Sequence, residues 1–126
     1  MVSFKLNTAL GLGVAIAMVS LAHASHLQRV GQCEMTRIKK IMGRITPRPD
    51  SSGTGIAYAD GVYGVSYQLV AGIVRSRIGD PVRVCLVSVP KNCPPGDNRG
   101  KFYSARNMRT GAQWKLPDAE HMCGGA

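Results

Sequence analysis

The chain has few acidic residues and few aromatic ones. Asp and Glu number 7 against 16 Lys and Arg, which gives a formal net charge of +9 at pH 7 over 126 residues, and aromatic residues make up 6%. A chain of this length buries one small core, which excludes a doubly wound dinucleotide fold and a barrel of alternating strands and helices. Hydrophobic residues reach 44%, an ordinary fraction that argues against wholesale disorder.

The motifs of common catalytic sites are missing. The sequence has no Gly-rich phosphate-binding loop outside its N-terminal segment and no H-E-x-x-H motif of zinc proteases. Beyond that segment only His26 and His121 are histidines, and His121, close to Asp118 and Glu120, is the one candidate for an imidazole base. We therefore expect a protein that is not an enzyme and uses no cofactor; a small hydrolase using His121 is an alternative.

The apolar run near the N-terminus is shorter than a membrane-spanning helix, which needs about 20 residues. Residues 9–21 carry no charge, Lys5 precedes them, and the small residues Ala22 and Ala24 follow. A positive start, a short apolar run and small residues before a cut are the three parts of a secretory signal peptide. We therefore predict cleavage near Ala24–Ser25, a periplasmic or secreted protein, and no transmembrane segment in the mature chain.

All four cysteines lie beyond the predicted cut, at Cys33, Cys85, Cys93 and Cys123. An even number of cysteines in a small exported chain predicts two disulfides, and three pairings are open. We favour Cys33–Cys85 with Cys93–Cys123, because Cys85 lies in a predicted strand and the last two cysteines flank a loop-rich segment. Zinc is the alternative, but the paired short spacings of zinc ribbons are absent, so we expect no metal. The predicted organisation is a signal peptide at 1–24 and a single disulfide-stabilised β domain at 25–126.

The clearest local signal is a hairpin. Residues 56–59 and 62–67 are rich in β-forming residues and flank Asp60-Gly61, a pair that favours a two-residue turn. Gly64, inside the second arm, indicates a bulge or the close approach of another strand.

Three further segments complete the prediction. Residues 82–89 are apolar at almost every position, which predicts a central strand buried on both faces. Residues 101–107 and 112–116 form a second hairpin around a turn at 108–111. Residues 27–45 fit one helical face loosely, but their glycines and β-branched residues fit a bent strand with one bulge as well.

Short strands between Gly- and Pro-rich turns predict an all-β fold. We expect a small partly closed barrel or a sandwich of five to six short strands, with at most one helix, either N-terminal or mid-chain.

The excess of positive charge is the main functional signal. It falls into three groups along the chain, and the last group surrounds aromatic residues. We take the binding candidates from this last group: Arg99, Lys101, Tyr103, Arg106, Arg109 and Trp114.

Cations interleaved with aromatics are typical of single-stranded nucleic acid binding, but export argues against that partner. An anionic envelope polymer, a lipid headgroup or an acidic protein is the expected partner of a non-catalytic basic module. An inhibitor of an exported hydrolase, such as a lysozyme or a protease, is the alternative, because a rigid Pro-Pro-Gly loop at 94–96 can enter an enzyme cleft at little ordering cost.

The C-terminal half resembles small exported proteins of Gram-negative bacteria with four cysteines. The residues that carry the resemblance are Gly79-Asp80-Pro81-Val82, Cys85-Leu86-Val87, Cys93-Pro94-Pro95-Gly96-Asp97, Arg99-Gly100, Arg109-Thr110-Gly111, Trp114, Leu116-Pro117-Asp118 and His121-Met122-Cys123-Gly124-Gly125. The resemblance implies a periplasmic location; it implies no activity and no functional residue.

Overall fold

A computed structural model describes residues 11–17 and 27–125, and six antiparallel strands organise the second range. The strands are β1 (Cys33–Met42), β2 (Thr54–Tyr58), β3 (Tyr63–Ser66), β4 (Pro81–Ser88), β5 (Phe102–Asn107) and β6 (Gln113–Pro117), and one helical turn, α1 (Ala71–Val74), lies between β3 and β4. Their order in the sheet is β3-β2-β1-β4-β5-β6, and the sheet curls into a half-barrel. The predicted all-β fold with a mid-chain helix is confirmed.

The predicted signal peptide lies largely outside the described residues. Of its sequence, the structure describes only residues 11–17, which are exposed and in neither a helix nor a strand. No helix in the two described ranges is long and apolar enough to cross a lipid bilayer.

Strand β1 is the predicted bent strand with one bulge rather than a helix. It pairs with β4 over residues 33–37 and with β2 over residues 38–42, and the β2 register shifts between Ile38 and Lys40. The unmatched residue is Lys39, and such a bulge bends the strand. Because of the bulge, Ile38 and Ile41 both pack into the core although they are three residues apart.

The first hairpin has a longer turn than the sequence predicts. The amide of Tyr58 donates to the Val62 carbonyl at 2.9 Å, and the amide of Gly61 donates to the Tyr58 carbonyl at 3.1 Å. The loop therefore comprises residues 59–61, and the prediction of a two-residue turn is wrong. Gly61 has φ 90°, and a turn followed by a left-handed glycine is the usual three-residue solution.

The sheet curls until β3 approaches β6. A Cβ on Gly64 would lie 3.2 Å from Leu116 Cβ, so a larger residue would require Leu116 to shift, which confirms the close approach as the interpretation of Gly64. The concave side holds the core, in which Trp114 Nε1 donates to Tyr58 Oη at 2.8 Å. The other buried core residues are Leu27, Ile38, Ile56, Val62, Ile73, Val82, Val84, Leu86, Tyr103, Ala105 and Leu116.

Strand β4 is central but is buried on one face only. Val82, Val84 and Leu86 are buried, whereas Arg83 and Val87 are exposed. The prediction of burial on both faces is wrong because a half-barrel has its core on one side, and no second layer covers the outer face of this strand. The alternation along β4 therefore separates a core face from a solvent face.

The four cysteines form the favoured pairs, Cys33–Cys85 and Cys93–Cys123. The first pair joins residues directly opposite each other in β1 and β4. The second pair ties the loop between β4 and β5 to the segment after β6, where the Cys123 amide also donates to the Arg99 carbonyl at 3.0 Å. These bonds leave no thiolate for zinc, and no group of three His, Cys, Asp or Glu side chains within residues 11–17 and 27–125 is placed to hold a metal ion.

A buried polar network fixes the end of the sheet where β4 begins and β5 ends. Asn107 is fully buried; its Nδ2 donates to Ser76 Oγ and to Asp80 Oδ2, both at 2.8 Å. Its Oδ1 accepts the amides of Arg109 and Thr110, which shapes the turn predicted at 108–111. Asp80 accepts Arg109 Nε at 2.7 Å and Nη2 at 2.9 Å, and this pairing with Arg109 holds the pKa of Asp80 well below its usual range.

Candidate functional site

The two aromatic members of the predicted binding set belong to the core. Tyr103 is 9% exposed and Trp114 is 7% exposed, and the Trp114 indole is held by its hydrogen bond to Tyr58. Neither ring presents an open face to solvent, so the structure gives no support to ligand stacking on these side chains.

Two cations of the set are engaged within the protein. Arg99 donates from Nε and Nη2 to the two carboxylate oxygens of Asp97, each at 2.9 Å, and Arg109 is paired with Asp80. The pKa of Asp97 is lowered mainly by its hydrogen bonds from Arg99. Lys101 is half-buried. Arg99 and Lys101 lie in the loop between β4 and β5, Arg109 lies in the loop between β5 and β6, and Arg106 lies within β5 itself.

Arg106 lies on the exposed face of the sheet. In the register of β5 it is opposite Arg83 of β4 on one side and opposite Gln113 of β6 on the other. Lys115, two residues beyond Gln113 on β6, is diagonal to it on the same face. Arg37 extends this face onto β1, two residues beyond Met35, which is opposite Arg83. We call these four exposed cations, Arg37, Arg83, Arg106 and Lys115, the basic face.

The centre of the basic face carries an electrostatic cost. Side chains directly opposite in antiparallel strands have Cβ atoms about 4.5–5.5 Å apart, and like charges at that distance destabilise the sheet. Arg83 and Arg106 are such a pair, and within the described part of the chain neither takes part in an ion pair. An anion bound between the two guanidinium groups would remove this repulsion.

The seven acidic residues are all committed elsewhere. Asp80, Asp97 and Glu120 pair with Arg109, Arg99 and Arg44 respectively. The others accept hydrogen bonds in turns or lie on the inner side of the sheet: Asp50, Asp60, Asp118 and Glu34. The face therefore keeps its full positive charge in the folded protein.

The frame of the basic face is rigid. The Cys33–Cys85 disulfide lies in the row of residues next to the Arg83–Arg106 pair and joins β1 covalently to β4. Arg37 Nη1 donates to the Gly79 carbonyl at 2.9 Å, which fixes the edge of the face. An anionic ligand would thus meet cations whose backbone positions are already set, which reduces the ordering cost of binding.

A cleft of about 220 Å³ opens on the inner side of the sheet. It is lined by Gly61, Val62, Tyr63, Tyr103 and Asp118. Burial raises the pKa of Tyr103, and the nearby carboxylate of Asp118 raises it further. The cleft is lined by one carboxylate and by none of the cations of the basic face, so it does not extend that face.

The alternative base His121 is exposed, and its acidic neighbours are occupied. Asp118 Oδ1 accepts the amides of Gly100 and Lys101 at 2.8 and 3.1 Å, and Glu120 Oε1 accepts Arg44 Nη1 at 3.0 Å. No hydrogen bond among the described residues joins either carboxylate to the imidazole. The small hydrolase therefore stays a prediction, and neither Asp118 nor Glu120 orients His121 as a base.

The sequence contains a signal for the basic face that grouping charges along the chain does not reveal. Arg37, Arg83 and Arg106 belong to three different sequence groups, and only strand pairing brings them together. Along β4 the apolar residues Val82 and Val84 alternate with Arg83, which marks Arg83 as outward-facing. The pairing Cys33–Cys85 then fixes the register between β1 and β4.

Comparison of the chain with protein-family models, with curated proteins and with solved structures finds no match. The resemblance to exported four-cysteine proteins thus rests on the residues named for it, and what the structure adds is that the four cysteines form two disulfides.

Proposed function

We propose that the protein is an exported, non-catalytic module that binds an anionic partner through the basic face. The observation that carries the proposal is the Arg83–Arg106 pair, opposed across two strands on an exposed surface and in no ion pair with an acidic residue in the part of the chain that the structure describes. A folded domain that keeps such a repulsion has positive charge placed for a ligand rather than for its own stability. The proposed export is supported by the predicted signal peptide and by two disulfides, which are typical of proteins in oxidising compartments.

Heparin, a sulfated polyanion, is the probe for the basic face. We expect Arg83→Gln with Arg106→Gln to weaken heparin binding roughly tenfold at moderate ionic strength, because two adjacent cations are lost from the contact. Binding of the wild type should weaken steadily as salt increases, since exposed charges are screened. Titration calorimetry over a salt series measures both effects.

The matched control removes the same charge elsewhere. Arg48 and Lys91 are exposed residues outside the sheet, and Arg48→Gln with Lys91→Gln lowers the net charge equally. We expect this variant to bind heparin within about twofold of the wild type, a difference that screening at moderate salt allows. An equal loss in both double variants would mean that net charge, and not the basic face, determines binding.

Inhibition of an exported hydrolase is a second candidate, favoured by the loop at residues 93–99. Pro94, Pro95 and Gly96 are exposed, and the loop is closed at its base by Cys93–Cys123. Asp97 Oδ2 accepts the Gly124 amide at 2.9 Å, so the loop is held in one conformation. Replacement of residues 94–98 by a Gly-Ser linker should abolish inhibition of a lysozyme or protease panel; a wild-type protein that inhibits none of them contradicts this function.

A further inference from the structure

Three short segments of the chain meet at the end of the half-barrel where β4 begins. Arg109 Nη2 of the β5–β6 loop donates to the carbonyl of Arg75, just after α1, at 3.4 Å. The Met108 amide donates to the Pro81 carbonyl at 2.9 Å, and the Gly79 amide donates to the Ile38 carbonyl at 2.8 Å. These contacts hold the end of α1, the turn before β4 and the β5–β6 loop beside one another.

Each of these segments exposes one large apolar side chain. Val74 is 50% exposed, Ile78 is 69% exposed and Met108 is 50% exposed. Exposed apolar residues are common on protein surfaces, so the exposure of these three does not by itself mark a site, and their charged surroundings distinguish them. Each of the three is adjacent in sequence to an arginine: Arg75, Arg77 and Arg109 respectively. We call Val74, Arg75, Arg77, Ile78 and Met108 the tip.

Ile78 is held away from the core by the turn that contains it. The Asp80 amide donates to the Arg77 carbonyl at 3.1 Å, and the Arg77 amide donates back to Asp80 Oδ2 at 2.8 Å. Gly79 has φ 91°, a conformation that tight turns use and that side-chain-bearing residues avoid. Turns favour small polar residues, and a β-branched apolar residue here contributes nothing to the turn itself. The turn therefore holds the Ile78 side chain in its exposed position before any partner binds.

The charge of the tip adds to that of the basic face. Arg75 and Arg77 are exposed and form no ion pair among the described residues. Arg37 of the basic face donates to Gly79 within the same turn, so the two surfaces are continuous. Apolar side chains set among arginines are the combination that binds an anionic lipid surface, where the side chains enter the headgroup region and the cations lie at the phosphates.

We propose that the tip docks this protein onto a membrane that contains anionic lipids, with Val74, Ile78 and Met108 inserted at the headgroup level. The inference rests on the proposed function and names its partner, since a lipid surface is the anionic partner that also uses the three apolar side chains. A soluble polyanion would require the arginines alone.

The test compares phosphatidylcholine vesicles with and without phosphatidylglycerol. We expect the wild type to sediment with the anionic vesicles only. Ile78→Ser with Met108→Ser should weaken that binding about tenfold or more, because two apolar side chains no longer leave water. Heparin binding of this variant should be unchanged, since its cations are intact.

Two matched measurements exclude trivial causes. Val30 is 62% exposed and precedes Gly31, whose amide donates to the Leu86 carbonyl near the opposite end of β4 at 2.9 Å, so Val30→Ser removes an apolar side chain away from the tip and should bind vesicles as the wild type does. In Ile78→Trp, the emission of the new indole should shift to the blue on adding anionic vesicles. Melting temperatures of all variants check that folding is intact.

The outcomes separate the two proposals. Heparin binding without vesicle binding overturns the membrane inference and leaves the basic face in place, and binding of neither probe overturns both. Vesicle binding that the Ile78 and Met108 substitutions do not change would show purely electrostatic adsorption, which contradicts insertion of the tip. Tip-dependent capture of a protein partner without vesicle binding also overturns it.

Discussion

The two ends of the β4–β5 pair hold their loops in different ways. At the tip end, Asn107 and Asp80 join the segment before β4 to the loop between β5 and β6 through hydrogen bonds that lie mostly inside the protein. At the other end, the loop between β4 and β5 is tied to the C-terminal segment by Cys93–Cys123, and its carboxylate Asp97 pairs with a residue only two positions away.

The difference follows from what each end can bury. The network around Asn107 adjoins Ile73 and Val82, which are fully buried, so its hydrogen bonds are shielded from water. The loop at 93–99 has Pro94, Pro95 and Gly96 exposed, and none of its residues is buried, so it has no core with which to cover a polar network. A covalent bond replaces the missing core there, as it does in small domains that cannot bury enough apolar surface.

Among the changes that compare the two ends, removal of the second disulfide should have the largest effect on stability. Cys93 and Cys123 are 30 residues apart, and Cys93→Ala with Cys123→Ala should lower the free energy of unfolding by about 4 kcal/mol, because the unfolded chain regains its loop entropy. Denaturant titration measures the loss. Amide hydrogen exchange should accelerate at residues 93–100 and stay slow at Asn107; uniform acceleration would contradict the separation of the two ends.

Asn107→Ala should have the next largest effect, at the opposite end. The substitution removes four hydrogen bonds from a fully buried site and should cost about 3 kcal/mol of unfolding free energy. The control is Asn98→Ala, an exposed asparagine in the other loop, which should stay within about 0.5 kcal/mol of the wild type. Equal costs in the two variants would show that the network does not stabilise the fold.

Acid should act on both ends, with a smaller effect. Hydrogen bonds from arginine lower the pKa of Asp80 and of Asp97 below the unfolded value of about 3.9. Each carboxylate therefore stabilises the protein above about pH 4, and this contribution is lost as the pH falls through the folded-state pKa. Asp80→Asn should make the fall of stability between about pH 4 and pH 2 shallower.

Asp97→Asn is the matched variant at the other end. It should also reduce the acid dependence, but at neutral pH it should lower the melting temperature less than Asp80→Asn, because Cys93–Cys123 still closes the loop. Melting curves from pH 2 to pH 7 follow both variants. An unchanged acid slope in Asp80→Asn would mean that its carboxylate titrates alike in the folded and unfolded states.

Local chemistry was sufficient to predict most of the fold. Prolines and glycines bound the strands, the pattern of residues 36–41 includes a bent strand among its solutions, and Gly64 marks a close approach. The misjudged burial of β4 has a tertiary cause. An apolar run does not reveal whether a second layer exists, and here none covers the outer face of this strand.

The basic face was less accessible to sequence reasoning. Arg106 was a candidate, but its partner Arg83 lies 23 positions earlier in the chain and faces it only through the β4–β5 register. Tyr103 and Trp114 are binding candidates in the sequence because they are aromatic residues among cations, but strand alternation directs both side chains toward the core. Alternation of buried and exposed residues distinguishes the two sides of a strand, and strand pairing shows which exposed residues are neighbours; charge spacing along the chain shows neither.

The bulge at Lys39 determines where β1 can change its length. With it, Ile38 and Ile41 are both directed inward, whereas Lys39 and Lys40 are both exposed. Deletion of Lys39 would leave Ile38, Lys40 and Ile41 in strict alternation, each on its present side of the sheet. Homologous chains that are one residue shorter within this strand should therefore lack the bulge residue, and other changes of length should lie in the loop at 43–53, a pattern that an alignment of relatives would reveal.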